Sequence, residues 1–359
     1  MKEIIFLSMH LPCSLVPEAG QKLAHDRLFK YIEDGVKVHL ISFVNEREVA
    51  YLDVKLYERC KSVNFFKIKK YNRLFNFIKD IRIPLPLAVR NDYRISKCIR
   101  DILRKNDIHE FHIEYEQGAL FVPFNLLGKT TVVFHDVISQ GIGRLRDTGK
   151  NSFLKWLYDI QFKMMIRWEK RILEGLKSIV VLNQKDKALI LNFNSNLENV
   201  TIDYPKVSDL FLKINRDHFR RANLIFWGAM NRKENIDAVI WFSSVIFPRV
   251  LKEVPDATFT IVGANPSDSV KNLACHNITV TGFVEDPTSF FECAQVSVVP
   301  LRYGAGIKIK VLETLAARIP TVSTTIGAEG ISDNQNLLYV TDDEEIFSRE
   351  VIDLIKCEN

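Results

Sequence analysis

The sequence predicts a doubly wound α/β fold built twice, as two parallel sheets each wrapped by helices. Three observations predict it. A single core seldom grows beyond ~250–300 residues, so a chain of 359 residues suits two domains of roughly 150–200 residues each. Short apolar runs alternate with amphipathic segments from end to end, the pattern of β–α–β units. That pattern stops in a polar stretch at 203–223 and then restarts. The restart places the domains at 1–205 and 206–345, followed by a final helix at 346–359 expected to pack back on the first domain.

In the first half, the runs at 3–8, 37–43, 65–68, 108–113, 131–134 and 178–182 read as buried strands. Helical periodicity covers 21–33, 87–103 and 153–173. In the second half, a run at 224–227 ends in Gly228, one at 257–262 in Gly263 and one at 278–281 in Gly282. Runs at 296–300, 321–324 and 337–340 complete that sheet, with helices at 236–250 and 307–318. The last helix, 345–356, begins behind the acidic run Asp342-Asp-Glu-Glu345, which caps it and complements its dipole. Strands that end in glycine matter because ligands of parallel sheets bind outside the carboxyl ends of the strands. Glycine lets the backbone approach a ligand there, and the next helix offers its free N–H groups to phosphate.

Composition excludes several classes. Hydrophobic residues make up 47%, charged 26% and aromatic 11%, which rules out collagen-like, disordered and coiled-coil chains. The longest apolar stretch, 117–128, is far short of the ~20 residues of a membrane-spanning helix. The amino terminus reads as a first strand rather than a leader, because it carries Glu3, lacks a small-residue cleavage site and runs into Pro12 and Pro17. Six cysteines are scattered without a C-x-x-C pair, which argues against a disulfide framework or zinc site and for a reducing cytoplasm.

The net charge of +5 conceals an asymmetry. Residues 1–180 carry 31 Lys and Arg against 21 Asp and Glu, and the remainder 18 against 23, so +10 and −5 make up the +5 of the chain. Between Lys61 and Lys105 thirteen basic residues face only Asp80, Asp92 and Asp101. Such a patch attracts phosphate on nucleic acid or on a lipid surface. With no nucleic-acid-binding module alongside it, a nucleic-acid partner is not expected. An anionic membrane, touched peripherally through 61–105, is the expected partner of this patch.

The segment richest in chemistry runs from Pro300 to Gly330. A strand ends at Pro300, a loop holds Gly304 and Gly306, and a helix follows to Arg318. Lys310 and Glu313 share one face of that helix, while Val311, Leu312, Leu315 and Ile319 form its buried stripe. The loop amides, the helix dipole, Arg302, Lys308 and Lys310 suit a diphosphate, and Glu313 suits ribose hydroxyls. On spacing alone an ordinary strand–loop–helix with a solvated Lys/Glu pair fits equally well.

This segment resembles the donor-nucleotide motif of family 4 glycosyltransferases, retaining enzymes of the two-Rossmann-domain GT-B fold. Phe226-Trp-Gly-Ala-Met-Asn-Arg-Lys-Glu-Asn235, Val254-Pro-Asp-Ala-Thr-Phe-Thr-Ile-Val-Gly263 and Val280-Thr-Gly-Phe-Val-Glu-Asp286 resemble the preceding motifs in the same order. In the first half, Pro17-Glu-Ala-Gly-Gln-Lys22 resembles the family's glycine loop, and Phe134-His-Asp-Val137 its histidine near the transferred sugar. The resemblance implies a donor domain in the second half and an acceptor domain in the first. His135, Lys310 and Arg232 would be catalytic. Gly20, Gln21, Gly228, Lys233, Arg302, Gly304, Gly306, Ile307, Lys308 and Glu313 would hold the donor. It departs in one place: the family pairs two glutamates, and the position eight before Glu313 is Ala305.

The function so implied is retaining transfer of a sugar from a nucleotide-diphosphate sugar to a glycan or lipid-linked acceptor in surface polysaccharide synthesis. The site of action would be the cytoplasm or the inner face of its membrane. No Asp-x-Asp pair occurs, so no metal and no cofactor are expected, and cationic side chains take up the leaving-group charge. H-E-x-x-H, G-x-x-x-x-G-K-[ST] and G-x-S-x-G are also absent, which counts against zinc protease, P-loop and hydrolase chemistry. Two other readings stand beside this one. One is an inverting transferase or sugar-nucleotide epimerase, with His25, His135 or Glu114 as base. The other is a nucleotide-sugar binding protein without activity.

Overall fold

A computed structural model describes residues 2–16, 19–46, 48–52, 54–67, 82–148, 151–217, 219–304, 306–333 and 335–357. The chain divides into two compact units, Met1–Tyr204 and Pro205–Asn359.

The first unit holds β1 (Glu3–Ser8), β2 (Lys37–Phe43), β3 (Ser62–Phe66), β4 (Glu110–Glu114), β5 (Thr130–Phe134), β6 (Ser178–Val181) and β7 (Val200–Ile202). They form one parallel sheet in the order β3-β2-β1-β4-β5-β6-β7. Side chains alternate across a strand, and both faces of β1 are covered. Ile5 and Leu7 join one core with Ile113, Val132 and Phe134, while Ile4 and Phe6 join the opposite one with Leu28, Val38 and Leu40. Burial on both faces is why these strands read as continuous apolar runs rather than alternating ones.

The second unit holds β8 (Asn223–Trp227), β9 (Thr258–Val262), β10 (Ile278–Gly282), β11 (Val296–Val299), β12 (Thr321–Ser323) and β13 (Leu338–Val340). They too form a parallel sheet, in the order β10-β9-β8-β11-β12-β13. In both sheets the strand order reverses beside the first strand, between β1 and β4 and between β8 and β11. A crevice opens at such a reversal.

Several elements differ from the sequence reading. The final helix, Glu344–Lys356, belongs to the second unit. Phe347, Val351 and Ile355 recur every fourth residue and are buried in the second unit's own core with Phe242, Val296 and Val298. Asp343 caps this helix, accepting the Glu345 and Ile346 N–H groups at 2.8 and 2.9 Å. The helix expected at 87–103 is two, Leu85–Ala88 and Tyr93–Lys105, because Asp92 takes the Arg94 N–H at 3.0 Å and starts a new one. The helix expected at 236–250 contains a π-helical stretch, Phe242–Ile246. Pro248 follows it, and a proline has no N–H for the carbonyl four residues earlier and clashes with it.

Candidate active site

The crevice of the first unit is built around a buried anion. Glu114 ends β4 and is fully buried. Burial opposes its ionisation, but the Arg27 guanidinium, 3.4 Å from Oε2, and hydrogen bonds from His112 and His135 hold its carboxyl well below the usual carboxylate range. An ionised carboxylate only accepts, so His112 donates from Nε2 to Oε1 at 2.8 Å and His135 from Nε2 to Oε2 at 2.6 Å. Arg27 also binds Asp203, at 2.7 Å. Tyr31 bonds the other nitrogen of His112 at 3.2 Å.

With Nε2 of His135 bound to Glu114, Nδ1 is the ring nitrogen turned toward Gly20. A Cβ on Gly20, at the start of the helix Ala19–Glu33, would lie 3.0 Å from Nδ1 and 2.6 Å from the Tyr115 hydroxyl, so a side chain there would have to push the Tyr115 ring aside. The Tyr115 ring stacks on His135 with centroids 3.9 Å apart and meets His10 edge-on at 4.9 Å. Tyr115 holds φ at 72°, a conformation that costs of order 1–3 kcal/mol and gathers at ligand clamps. Sequence reasoning nominated Glu114 only as a base and missed Tyr115. The one signal was a polar–aromatic–polar triplet, 114–116, following a buried run.

Two of the predicted residues have structural duties. Gln21 is buried and donates to the Leu11 carbonyl at 2.8 Å and to Glu48 at 3.0 Å, which ties the glycine loop down rather than offering an amide to a donor. His25 bonds Asp26 at 3.1 Å. Behind the His135 loop lie two more buried acids, Glu116 and Glu169. They accept the Ile138 and Ser139 N–H groups at 2.9 and 3.0 Å, capping the helix Ile138–Thr148. Burial, reinforced by Glu169 and Asp136, drives the Glu116 carboxyl far up. Burial likewise pushes Glu169 up to about 7. The two carboxyls face each other, and neither Oε2 has another partner, so one proton between them satisfies both.

The crevice of the second unit is built around a half-buried cation. Lys310 lies in the first turn of the helix Ile309–Ala316. Its ammonium donates to Asn235 Oδ1 at 2.6 Å and lies 4.4 Å from the centroid of the Phe226 ring. Burial first, then the charge of Arg232, lowers it to about 7 from 10.5. Gly228, with φ at 155°, turns the chain directly over this amine. A Cβ there would stand 2.6 Å from Nζ. Asn235, which donates in turn to the Ala229 carbonyl at 2.8 Å, joins the amine to the loop after β8. It went unremarked in the sequence, where it reads as one more polar residue at a helix start.

Gly304 and Gly306 take φ values of 135° and 72°, so the backbone before the helix follows a path that other residues resist. Ile307 and Lys308 lie between this turn and the helix, and the Lys308 amine bonds the Gly306 carbonyl at 2.6 Å. Glu313, one turn further, accepts from the Trp227 indole at 2.7 Å. Trp227 is the third residue missed from sequence; a tryptophan ending an apolar run passes for core. Arg302 is committed elsewhere, with two bonds to Asp237 at 2.8 and 2.5 Å and its guanidinium over Trp241. Arg232 reaches Glu234 at 3.4 Å. Lys233 opens the next helix, and its carbonyl accepts the Tyr303 hydroxyl at 2.8 Å. Ala305 lies outside the described residues.

Residues 221–357 match the model of the family described as Glycosyl transferases group 1. An uncharacterized 44.6 kDa protein in the cps region of Klebsiella pneumoniae is 23% identical over 311 residues, 83% of this chain and 76% of that protein. Among solved structures, a TarM variant from S. aureus, in complex with fondaparinux, α-GlcNAc-glycerol and UDP, superposes with a TM-score of 0.64 at 14% identity, over 99% of this chain and 93% of that one. HepE from Anabaena, in complex with UDP, gives 0.59 at 11% identity, over 99% and 89%. The architecture is therefore GT-B, and with the match over the second unit the protein is a glycosyltransferase, an enzyme of class EC 2.4. Among the described residues no helix is long and apolar enough to cross a membrane.

Proposed function

We propose that the second unit binds a nucleoside-diphosphate sugar and that the protein transfers the sugar, with retention, to a glycan or lipid-linked acceptor in the synthesis of a surface polysaccharide. The observation that carries this reading is the Lys310 ammonium, half-buried at the crevice beside a helix start and bonded, among the described residues, to no carboxylate. A cation lowered to about 7 by burial gains most from an arriving anion. Diphosphate oxygens also suit the N–H groups at the start of the Ile309–Ala316 helix. UDP is the proposed nucleotide, since TarM and HepE were both solved with it, and family 4 is the proposed family.

As the glycosidic bond breaks, negative charge gathers on the departing diphosphate. Lys310, with Lys308 and Arg232 nearby in the field that sets its pKa, offsets that charge electrostatically, and no metal is invoked. Glu313, oriented by Trp227, accepts from the ribose. In the first unit the Nδ1 of His135 is the nitrogen available to a sugar hydroxyl, with the ring fixed by Glu114 and Tyr115.

Calorimetric titration with UDP, followed by NMR of the products formed from UDP-sugars, tests this. Saturable UDP binding that Glu313→Ala weakens, and a product keeping the donor's anomeric configuration, are expected. Inversion would move the reading to a mechanism with a protein base. Binding without turnover or hydrolysis of any donor would favour the inactive binding protein.

A further inference from the structure

We propose that one face of the long helix Ser152–Leu173 docks the first unit on an anionic lipid surface. Phe153, Trp156, Lys163, Arg167, Lys170 and Arg171 recur at three-, four- and seven-residue intervals and so share one side of this helix. Phe153 and Trp156 are 63% and 57% exposed, and Leu154 and Leu157 beside them 45% and 37%. Leu145, on the helix that precedes, is another 48% exposed. Exposed Trp, Phe and Leu gathered at one end of a helix mark an interaction surface. At the other end of the face Arg171 lies over the ring of Phe124, itself 62% exposed. From Trp156 to Arg171 the face is about 22 Å long at 1.5 Å per residue.

Charge decides which occupant fits. Four cations line the face. The acids beside them are Asp159, already held by Lys163 at 2.6 Å and Arg146 at 3.6 Å, and Glu174 at the helix end. An anionic bilayer neutralises the cations while accepting the aromatic end at headgroup depth, the arrangement of an interfacial amphipathic helix. This surface is separate from the basic stretch at 61–105, where Lys61 and Arg94 are paired to Glu3 and Asp92 and residues 68–81 lie outside those described.

Co-sedimentation of the whole protein with phosphatidylglycerol/phosphatidylcholine vesicles and with phosphatidylcholine vesicles tests the proposal. The wild type is expected to pellet with the first and not the second. Trp156→Ser with Leu157→Ser, and separately Arg167→Glu with Lys170→Glu, should each lower partitioning more than tenfold with an unchanged melting curve. If a double variant fails to fold, Phe153→Ser alone serves. Equal recovery with both vesicles, or partitioning unmoved by these variants, overturns the proposal. So does a concentration-dependent dimer that the Trp156→Ser change dissociates, which would assign the face to a second copy. UDP titration of the same variants is expected to be unchanged, so donor binding and lipid binding can fail independently.

Discussion

The two crevices share a topology and differ in sign. Each opens where the strand order reverses, beside β1 in one unit and β8 in the other. At the first, a buried carboxylate gathers an arginine and two histidines around it. At the second, a half-buried ammonium rests on an asparagine oxygen and an aromatic face. The first is electrostatically complete, because Glu114 has its partners in hand. The second is not, because Lys310 is lowered to about 7 and, among the described residues, its hydrogen-bond acceptor is the neutral Asn235. The fold thus sets where ligands approach. Whether a site waits for a charge or has already balanced one is set by a few side chains.

The sharpest break in that comparison is at the two central residues. Lys310→Met should cut turnover by roughly 10²–10³-fold, the usual loss when a transition-state charge partner is removed. Its melting temperature should hold or rise, because a costly buried amine is gone. Glu114→Gln should do the reverse, costing about 3–5 kcal/mol of stability, since Arg27 and two histidines lose the charge they surround. Thermal denaturation and steady-state kinetics on both variants check this. Matching stability losses in the two would remove the distinction.

Smaller effects sharpen it. Glu313→Ala should weaken UDP binding by about 1.5–3 kcal/mol, the worth of hydrogen bonds to a charged group. Trp227→Phe should reproduce part of that loss, and the double variant should cost less than the sum, as expected of residues acting through one another. Equal additivity in the calorimetric cycle would mean that Trp227 does not orient Glu313. The smallest effect concerns Glu169. Its carboxyl is raised from 4.5 to about 7, so its stabilising contribution is full below pH 4.5 and lost as pH rises through about 7. Glu169→Gln, neutral at all pH, should flatten the fall in melting temperature across that window. An unchanged pH profile would mean that the pair carries no shared proton.

Much of this was legible in the sequence, and what was not has physical causes. The twelve runs read as strands all fall on strands of the two sheets, because strands buried on both faces leave continuous apolar runs. The strand expected at 65–68 is centred earlier, at Ser62–Phe66, where its pairing with β2 is fixed by neighbours rather than by its own apolarity. β7, three residues long, carries no pattern to find. The core that the final helix joins was not legible, because a stripe such as Phe347, Val351 and Ile355 shows that a helix packs but not on what. The glycines of the second crevice were legible because φ near 135° or a Cβ 2.6 Å from Lys310 excludes most other residues. Asn235, Trp227 and Tyr115 were not. Their partners lie 75, 86 and 20 residues away, and the bonds of Arg302 to Asp237 and of Gln21 to Glu48 were out of sight for the same reason.

The central claim is that Lys310 waits for the anion of the donor, and proton uptake on binding measures it directly. Above pH 7 the free amine is largely neutral, and a bound diphosphate should recharge it. Titration with UDP near pH 8, in two buffers of different ionisation enthalpy, should therefore show uptake of about one proton, with affinity falling as pH rises further. In Lys310→Met the uptake should vanish along with most of the affinity. Heats independent of buffer in the wild type, together with an unchanged dissociation constant in the variant, would contradict the account.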